Sequence, residues 1–292
     1  MPGARPEWLS DELYPFESRF CSTSDGHDLH YVDEGSGPVI VFVHGNPAWS
    51  FEFRHLIAGL RSDYRCIAAD HVGFGLSSRS KRRTDHHPGA HAERLTELLE
   101  HLDIRNATLF LTDWGGPIGL EFARKQPERV GKLVITNTWC WPVSRDPHYL
   151  FFSTMMRSPL GQLLIKRFNA FVNRVMPMAI GNKAVITPEV MDHYRNAQPA
   201  GSRDACAALP GHIIGATGWL RSIWAERAAF AGKPTLIFWG FKDIAFRRKE
   251  LERWQAELSD FTLHEFEDCG HFLAEEAPER ILPKLRTFLA RT

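Results

Sequence analysis

The strongest constraint in this chain is a series of short, unbroken apolar runs, each followed by a stretch with helical periodicity. Val39-Ile40-Val41-Phe42-Val43 shows no polar alternation, as expected of a strand covered on both faces in a parallel sheet. The runs at 66–69, 107–111, 133–135 and 235–239 have much the same character, and the more mixed stretch 261–266 reads as the last strand. Between them, Leu95, Leu98, Leu99 and Leu102 recur at helical spacing. Alternating β and α units predict an α/β fold, a doubly wound, mostly parallel sheet with helices on both faces. Residues 19–34 alternate instead, around Ser24-Asp25-Gly26-His27. An Asp-Gly pair between two such runs predicts a hairpin, and hence an antiparallel edge.

The β-α rhythm breaks after Trp141 and resumes at Thr235. Apolar and aromatic residues there recur at helical spacing, and Pro159, Pro177, Pro188, Pro199 and Pro210 punctuate them into short helices. This predicts three segments: core over 1–141, a helical cap over 142–231 and core again over 232–292. The charges balance, with 35 basic and 35 acidic residues. Neither nucleic acid nor membrane is therefore expected as a partner. Five widely spaced cysteines, with no CxxC pair, suggest neither a zinc site nor a disulfide framework and point to the cytoplasm. The stretch Met1 to Trp8 lacks the apolar segment of a secretory signal.

Chemistry concentrates just after the strands. Asp113 follows the run 107–111 and precedes Trp114-Gly115-Gly116, at the head of a helical stretch. A strand that turns into a helix through small residues presents one side chain above the sheet, as a nucleophile elbow does. Asp113 there is either a carboxylate nucleophile or a helix cap. Asp243 follows the run 235–239, and His271 follows the run 261–266. Taken singly, each could be an ordinary turn or loop residue. Together they sit at the carboxyl ends of strands, where an open parallel sheet forms its ligand crevice. Their order is nucleophile, acid, histidine. Asp113 would attack, His271 would act as general base toward water, and Asp243 would hold the imidazole.

Asp113-Trp114-Gly115-Gly116, His44-Gly45-Asn46-Pro47 and Gly270-His271-Phe272 together resemble the haloalkane dehalogenases. Asn137-Thr138-Trp139, Trp141-Pro142 and the run 191–195 extend the likeness over nearly the whole chain. The resemblance implies an α/β-hydrolase core of eight strands with a helical cap after strand six. It also implies displacement of halide by Asp113 to leave an alkyl ester, with no metal or organic cofactor. Trp114 and Asn46 would bind the halide through their side chains, and their backbone N–H groups would form the oxyanion hole. The substrates would be a small halogenated hydrocarbon and water. No acid lies between Lys132 and Ser144, so the triad acid falls to Asp243. That combination resembles the subfamily with an Asp-His-Asp triad and an Asn–Trp halide pair. Some of its members associate, so a homo-oligomer stays open.

An epoxide hydrolase shares the nucleophile and would use cap tyrosines, for which Tyr149 and Tyr194 are available. Asn46 stands where that family carries an aromatic residue. A haloacetate dehalogenase would need arginine at the position of Trp114. A non-catalytic receptor on the same fold would bind ligand without Asp113. His86, His87 and His91 read as a solvated loop and not as a metal site, because their segment is charged and contains Pro-Gly. Phe151, Phe152, Phe168 and Phe171 would either line the substrate pocket or pack the cap on the core.

Overall fold

The computed structural model describes residues 5–291; Met1 to Ala4, at the start of the stretch expected to carry no secretory signal, lie outside them. The hairpin forms as predicted. β1 (Arg19–Ser22) pairs antiparallel with β2 (Asp28–Glu34), and Gly26 makes the turn at φ +87°. The apolar runs become β3 (Val39–Val43), β4 (Arg65–Ala69), β5 (Ala107–Asp113), β6 (Val130–Thr138), β7 (Thr235–Gly240) and β8 (Phe261–Phe266). They form one sheet of eight strands in the order β1-β2-β4-β3-β5-β6-β7-β8. From β4 through β8 every pairing is parallel; β2 meets β4 antiparallel. The central strands β5 and β7 are buried along almost their whole length, whereas edge strand β8 is only half-buried. This accounts for the unbroken apolar runs in the middle of the sheet and the mixed composition of its edge.

The connecting helices are α1 (Arg54–Leu60), α2 (Pro88–His101) and α3 (Gly115–Lys125). A turn of 3-10 helix, Ser50–Phe53, precedes α1. α2 starts well before its first periodic leucine, Leu95, because Pro88 fits the first turn and the His87 side chain accepts the Gly89 N–H as a cap. Between β6 and β7 lie only helices among the described residues: α4 (Pro147–Arg157), α5 (Pro159–Phe168), α6 (Met176–Ala179), α7 (Pro188–Asn196), α8 (Asp204–Gly215), α9 (Thr217–Ala225) and α10 (Ala228–Ala231). Pro159 and Pro188 begin helices, as their missing N–H allows. Pro210 instead lies inside α8, contrary to the reading of it as a break. The chain closes with α11 (Arg248–Glu257), the short α12 (Leu273–Glu276) and α13 (Pro278–Leu289).

β6 is nine residues long and extends past the apolar core 133–135, because β5 pairs with it from Val130 to Thr138, whereas β7 pairs only with residues 133–136. No helix among the described residues is long and apolar enough to cross a membrane. All five cysteines are unbridged and buried.

Candidate active site

Asp113 is the last residue of β5, and the backbone turns there at φ +45°. A non-glycine residue in this region is strained and persists only when its surroundings hold it. The holding contacts are specific. Thr138 Oγ1 donates to the Asp113 backbone carbonyl at 2.5 Å. A Cβ on Gly115 would collide with the Val43 carbonyl, and one on Gly45 would fall on the Asp113 carboxyl group. These two glycines let β5, the elbow and the loop after β3 approach one another.

The loop after β3 brings Asn46 to Asp113. Its backbone N–H donates to Asp113 Oδ2 at 2.7 Å. Burial pushes the Asp113 carboxyl above its ordinary value; the neighbouring His271 and the backbone N–H groups of Asn46 and Trp114 oppose this by favouring the carboxylate. One carboxylate oxygen is therefore held by the backbone of the loop after β3.

Asp243, three residues beyond β7, and His271, after β8, complete the cluster. His271 Nδ1 lies 2.8 Å from Asp243 Oδ2. Burial alone would lower the His271 pKa, but Asp243 foremost, then Asp113 and Glu52, bring it up to about 9. Asp243 is itself fixed. Asn137 Nδ2 donates to Asp243 Oδ2 at 2.8 Å, and Asn137 Oδ1 accepts the Gly240 N–H at 2.8 Å. The Ala245 N–H reaches Asp243 Oδ1 at 2.7 Å. In the sequence, Asn137 stood out only as a non-acid near the end of strand six; its role in holding Asp243 requires the β6–β7 pairing to be known.

These groups lie at the floor of a pocket of about 320 Å³ beneath the helices inserted after β6. Asn46, Asp113, Trp114 and His271 line it, together with apolar side chains including Phe151, Phe152, Phe171, Val175 and Ile244. Of the four phenylalanines singled out in the sequence, three therefore line the pocket. Phe168 does not; it is 59% exposed on α5. Tyr149 lines the pocket, whereas Tyr194 is buried against Glu275, with its hydroxyl 3.4 Å from that carboxylate. The pair of pocket tyrosines needed for epoxide protonation is thus not assembled.

The Trp114 indole N–H meets no protein acceptor among the described residues, and its ring stands edge-on to Trp139 at 4.7 Å. Asn46 Nδ2 donates one hydrogen bond, at 3.2 Å, to the Cys206 carbonyl in α8, which leaves its second N–H free. Both side chains can thus offer a donor to an anion in the pocket.

Two features escaped the sequence reading. Glu52, on the 3-10 turn after the Asn46 loop, is buried with its Oε2 unpartnered. Burial pushes its pKa up to about 8; the neighbouring His271 opposes this, while Glu275 and Asp113 add to it. Only its spacing from Asn46 could have marked it. The histidines taken for a solvated loop are also different from expectation: His86 and His91 are 1% exposed. With His44 and His71 they form a buried ring cluster below the Asn46 loop, the centroids of His44 and His71 being 4.2 Å apart and those of His71 and His91 5.2 Å. His91 lies in the first turn of α2, which begins at Pro88, and His86 ends a 3-10 turn, Arg83–His86, just ahead of it. Among the described residues the one group with metal-ligand spacing is Asp25, His27 and Asp85. The Arg94 guanidinium already sits against both carboxylates, at 2.6 and 3.8 Å.

Comparison with known proteins gives a consistent picture. A family model described as the alpha/beta hydrolase fold matches residues 38–175. Haloalkane dehalogenase 2 of Mycobacterium tuberculosis is 41% identical over 273 residues, covering 92% of this chain and 94% of that protein. A cis-3-alkyl-4-alkyloxetan-2-one decarboxylase of Shewanella oneidensis is 33% identical over 298 residues, covering 97% of this chain and 92% of that protein. Among solved structures, the haloalkane dehalogenase DbeA of Bradyrhizobium elkani superposes with a TM-score of 0.84 at 25% identity, covering 94% of this chain and 98% of that chain.

Proposed function

The chain belongs to the haloalkane dehalogenase family, and from that premise we propose that it hydrolyses haloalkanes through an alkyl ester on Asp113. The observation that carries this reading is the Asp113 carboxylate, pinned through one oxygen by the Asn46 N–H and facing an apolar pocket. The free oxygen attacks the halogen-bearing carbon, the carbon–oxygen bond forms, and halide leaves with the electron pair of the broken bond. The Trp114 indole and the Asn46 amide receive it; fixed donors act most strongly where water is excluded.

The charge state of His271 follows the reaction. Beside a charged Asp113, the imidazole holds its proton at neutral pH. Esterification removes the Asp113 charge, so the His271 pKa falls and a base appears once there is an ester to hydrolyse. His271 then takes a proton from water, whose oxygen attacks the ester carbonyl. The resulting oxyanion occupies the position held by the Asn46 and Trp114 N–H groups. Collapse releases alcohol, and the proton and halide depart. Asp243 stabilises the imidazolium and fixes its orientation.

The helices of 142–231 act as the cap that closes the pocket from solvent. The five unbridged cysteines fit a reducing compartment, the cytoplasm. The experiment is to trap the intermediate. His271→Phe mixed with 1,2-dibromoethane should accumulate a bromoethyl adduct on the peptide carrying Asp113, read by mass spectrometry. Undiminished bromide turnover with no adduct would sink the mechanism.

A second reading comes from the decarboxylase relative, because a strained lactone also presents an electrophilic carbon to Asp113 and its alkyl groups suit an apolar pocket. Bromide release from 1,2-dibromoethane, set against carbon dioxide release from a cis-dialkyl oxetan-2-one, separates the two.

A further inference from the structure

The charges that cancel over the whole chain are unevenly placed. Residues 147–188 contain no Asp or Glu but five basic residues: Arg157, Lys166, Arg167, Arg174 and Lys183. All five are exposed, and among the described residues only Lys166 meets a carboxylate, Asp204 at 2.7 Å. The same stretch holds eight of the nine exposed large apolar side chains among the described residues. On α5, Leu160, Leu163, Leu164 and Phe168 follow one another at helical spacing and are 41–64% exposed, while Ile165 on the other side is fully buried. On α4, Phe151 is 70% exposed and also lines the pocket, as does Ile244, the ninth of the set. The apolar surface therefore reaches the pocket mouth. A gathered patch of this kind marks an interaction site.

We propose that this face of the cap docks on an anionic lipid bilayer. The apolar side chains of α4 and α5 enter the interface and the surrounding arginines and lysines meet acidic headgroups, as in other interfacial helices. Association is peripheral, since no helix can span the bilayer. A second copy of the chain fits less well. An isologous pair would set the same cations against each other with no carboxylate in 147–188 to answer them. The inference rests on the cap surface and is independent of the reaction at Asp113.

The test is co-sedimentation of the full chain with vesicles of phosphatidylcholine, with and without phosphatidylglycerol. Binding should be about tenfold greater with phosphatidylglycerol and should weaken as salt is raised. Leu163→Glu with Phe168→Glu should lower binding about tenfold or more. Arg167→Glu with Arg174→Glu should abolish the preference for acidic lipid. All four side chains lie outside the pocket, so the variants should keep the wild-type thermal midpoint. Absence of vesicle binding overturns the proposal, as does binding that neither variant changes. So does a wild-type oligomer, seen by light scattering without vesicle binding, that the Leu163→Glu/Phe168→Glu variant dissolves.

A separate observation concerns Asn46. A helical residue at position 210 would donate its N–H to the carbonyl four residues earlier, Cys206. Proline has no N–H to give. The freed Cys206 carbonyl accepts Asn46 Nδ2 instead. We infer that Pro210 is a positioning residue, fixing the Asn46 amide so that its second N–H faces the pocket. The inference rests on Asn46 as a halide donor. Bromide affinity, read from Trp fluorescence, tests both parts. Pro210→Ala should weaken bromide binding about three- to tenfold, in line with the loss of one anchoring hydrogen bond. It should also raise the thermal midpoint, because α8 gains its own bond; a merely structural proline would not move these two readouts in opposite directions. If Asn46→Ala leaves bromide affinity unchanged, the halide reading itself fails. If Asn46→Ala weakens it and Pro210→Ala does not, the positioning inference alone is overturned.

Discussion

Two regions of this protein hold buried histidines whose surroundings drive them to opposite charge states. His271, in the strand-end crevice, is 5% exposed with a pKa brought up to about 9. His91, in the cluster beneath the Asn46 loop, is 1% exposed, and burial, followed by its neighbours His71, Arg94, His86 and His44, drives its pKa well below the ordinary value. Burial is common to both and favours the neutral ring in both. The difference is the partner. His271 has Asp243 at 2.8 Å, whereas both ring nitrogens of His91 lack any partner. Asp70, the carboxylate that bears on His44 and His71, is engaged by His30 at 2.8 Å. Between His271 and His91 the deciding difference is whether a carboxylate was placed beside the ring.

Removing that carboxylate should have the largest effect. Asp243→Asn keeps the shape of the crevice but takes away the charge that holds the imidazolium. Turnover should fall by about three to four orders of magnitude, as when the acid of other triads is made an amide. The titration midpoint of His271, followed by NMR, should drop from about 9 toward the range of the cluster histidines. A midpoint that stays near 9 would break the comparison, by showing that Asp113 and Glu52 suffice.

The two regions also differ in how far the sequence discloses them. The crevice was readable because each of its residues follows a stretch of strand type, and a parallel sheet must bring such positions together. Asp113, Asp243, His271, Asn46 and Trp114 needed only the order of elements to be gathered. The hairpin was readable for a similar local reason, its Asp-Gly turn. The histidine cluster was not readable. Whether His91 faces water depends on where α2 begins, and that goes with a cap made by His87 and packing against His71, while His86 lies in the 3-10 turn ahead of α2 with its ring 3.0 Å from the Ser80 carbonyl. Pro210 misled in the same way: its local meaning is a break, and the compensating bond from Asn46 is 160 residues away in sequence. The outward face of α5 was hidden because its apolar spacing is that of a core helix, and spacing alone does not say which side is covered.

Acid should expose the cluster. His44 Nδ1 lies 2.8 Å from the Gly45 carbonyl, to which it donates, and its Nε2 accepts the His71 N–H at 3.0 Å, an arrangement that fits a neutral ring. His44, His71 and His91 all have pKa values lowered by burial. The folded protein therefore stays unprotonated at these sites while the unfolded chain takes up protons below about pH 6.5. Their contribution to stability is present above that pH and is lost as the pH falls, by at most about 1.4 kcal/mol per pH unit for each ring. Urea unfolding between pH 7.5 and 5 should show this slope. His91→Phe should leave stability at pH 8 within about 1 kcal/mol, since ring shape is kept, and should make the acid slope shallower. Equal slopes in the two proteins would mean that His91 is not held neutral.

Glu52 sharpens the comparison from the other side, with the smallest expected effect. It packs beside the crevice, near His271, Asp113 and Glu275, yet its Oε2 has no partner. Burial holds its pKa at about 8, against an ordinary glutamate value of 4.5. The folded state therefore keeps a proton that the unfolded chain has released. This group's contribution to stability is fully present below about pH 4.5 and is lost as the pH rises through about 8, the reverse of the histidine cluster. Glu52→Gln carries no such proton. It should unfold like wild type near pH 5 and be more stable at pH 8, by about 1–2 kcal/mol once local relaxation and water entry reduce the full linkage. Turnover at pH 7 should change less than about twofold, because a neutral amide replaces a neutral acid of the same shape. A variant less stable than wild type at pH 8 would mean that Glu52 is ionised in the folded protein. His271 would then sit between two buried anions besides its own Asp243, and its proton would be harder to remove after esterification.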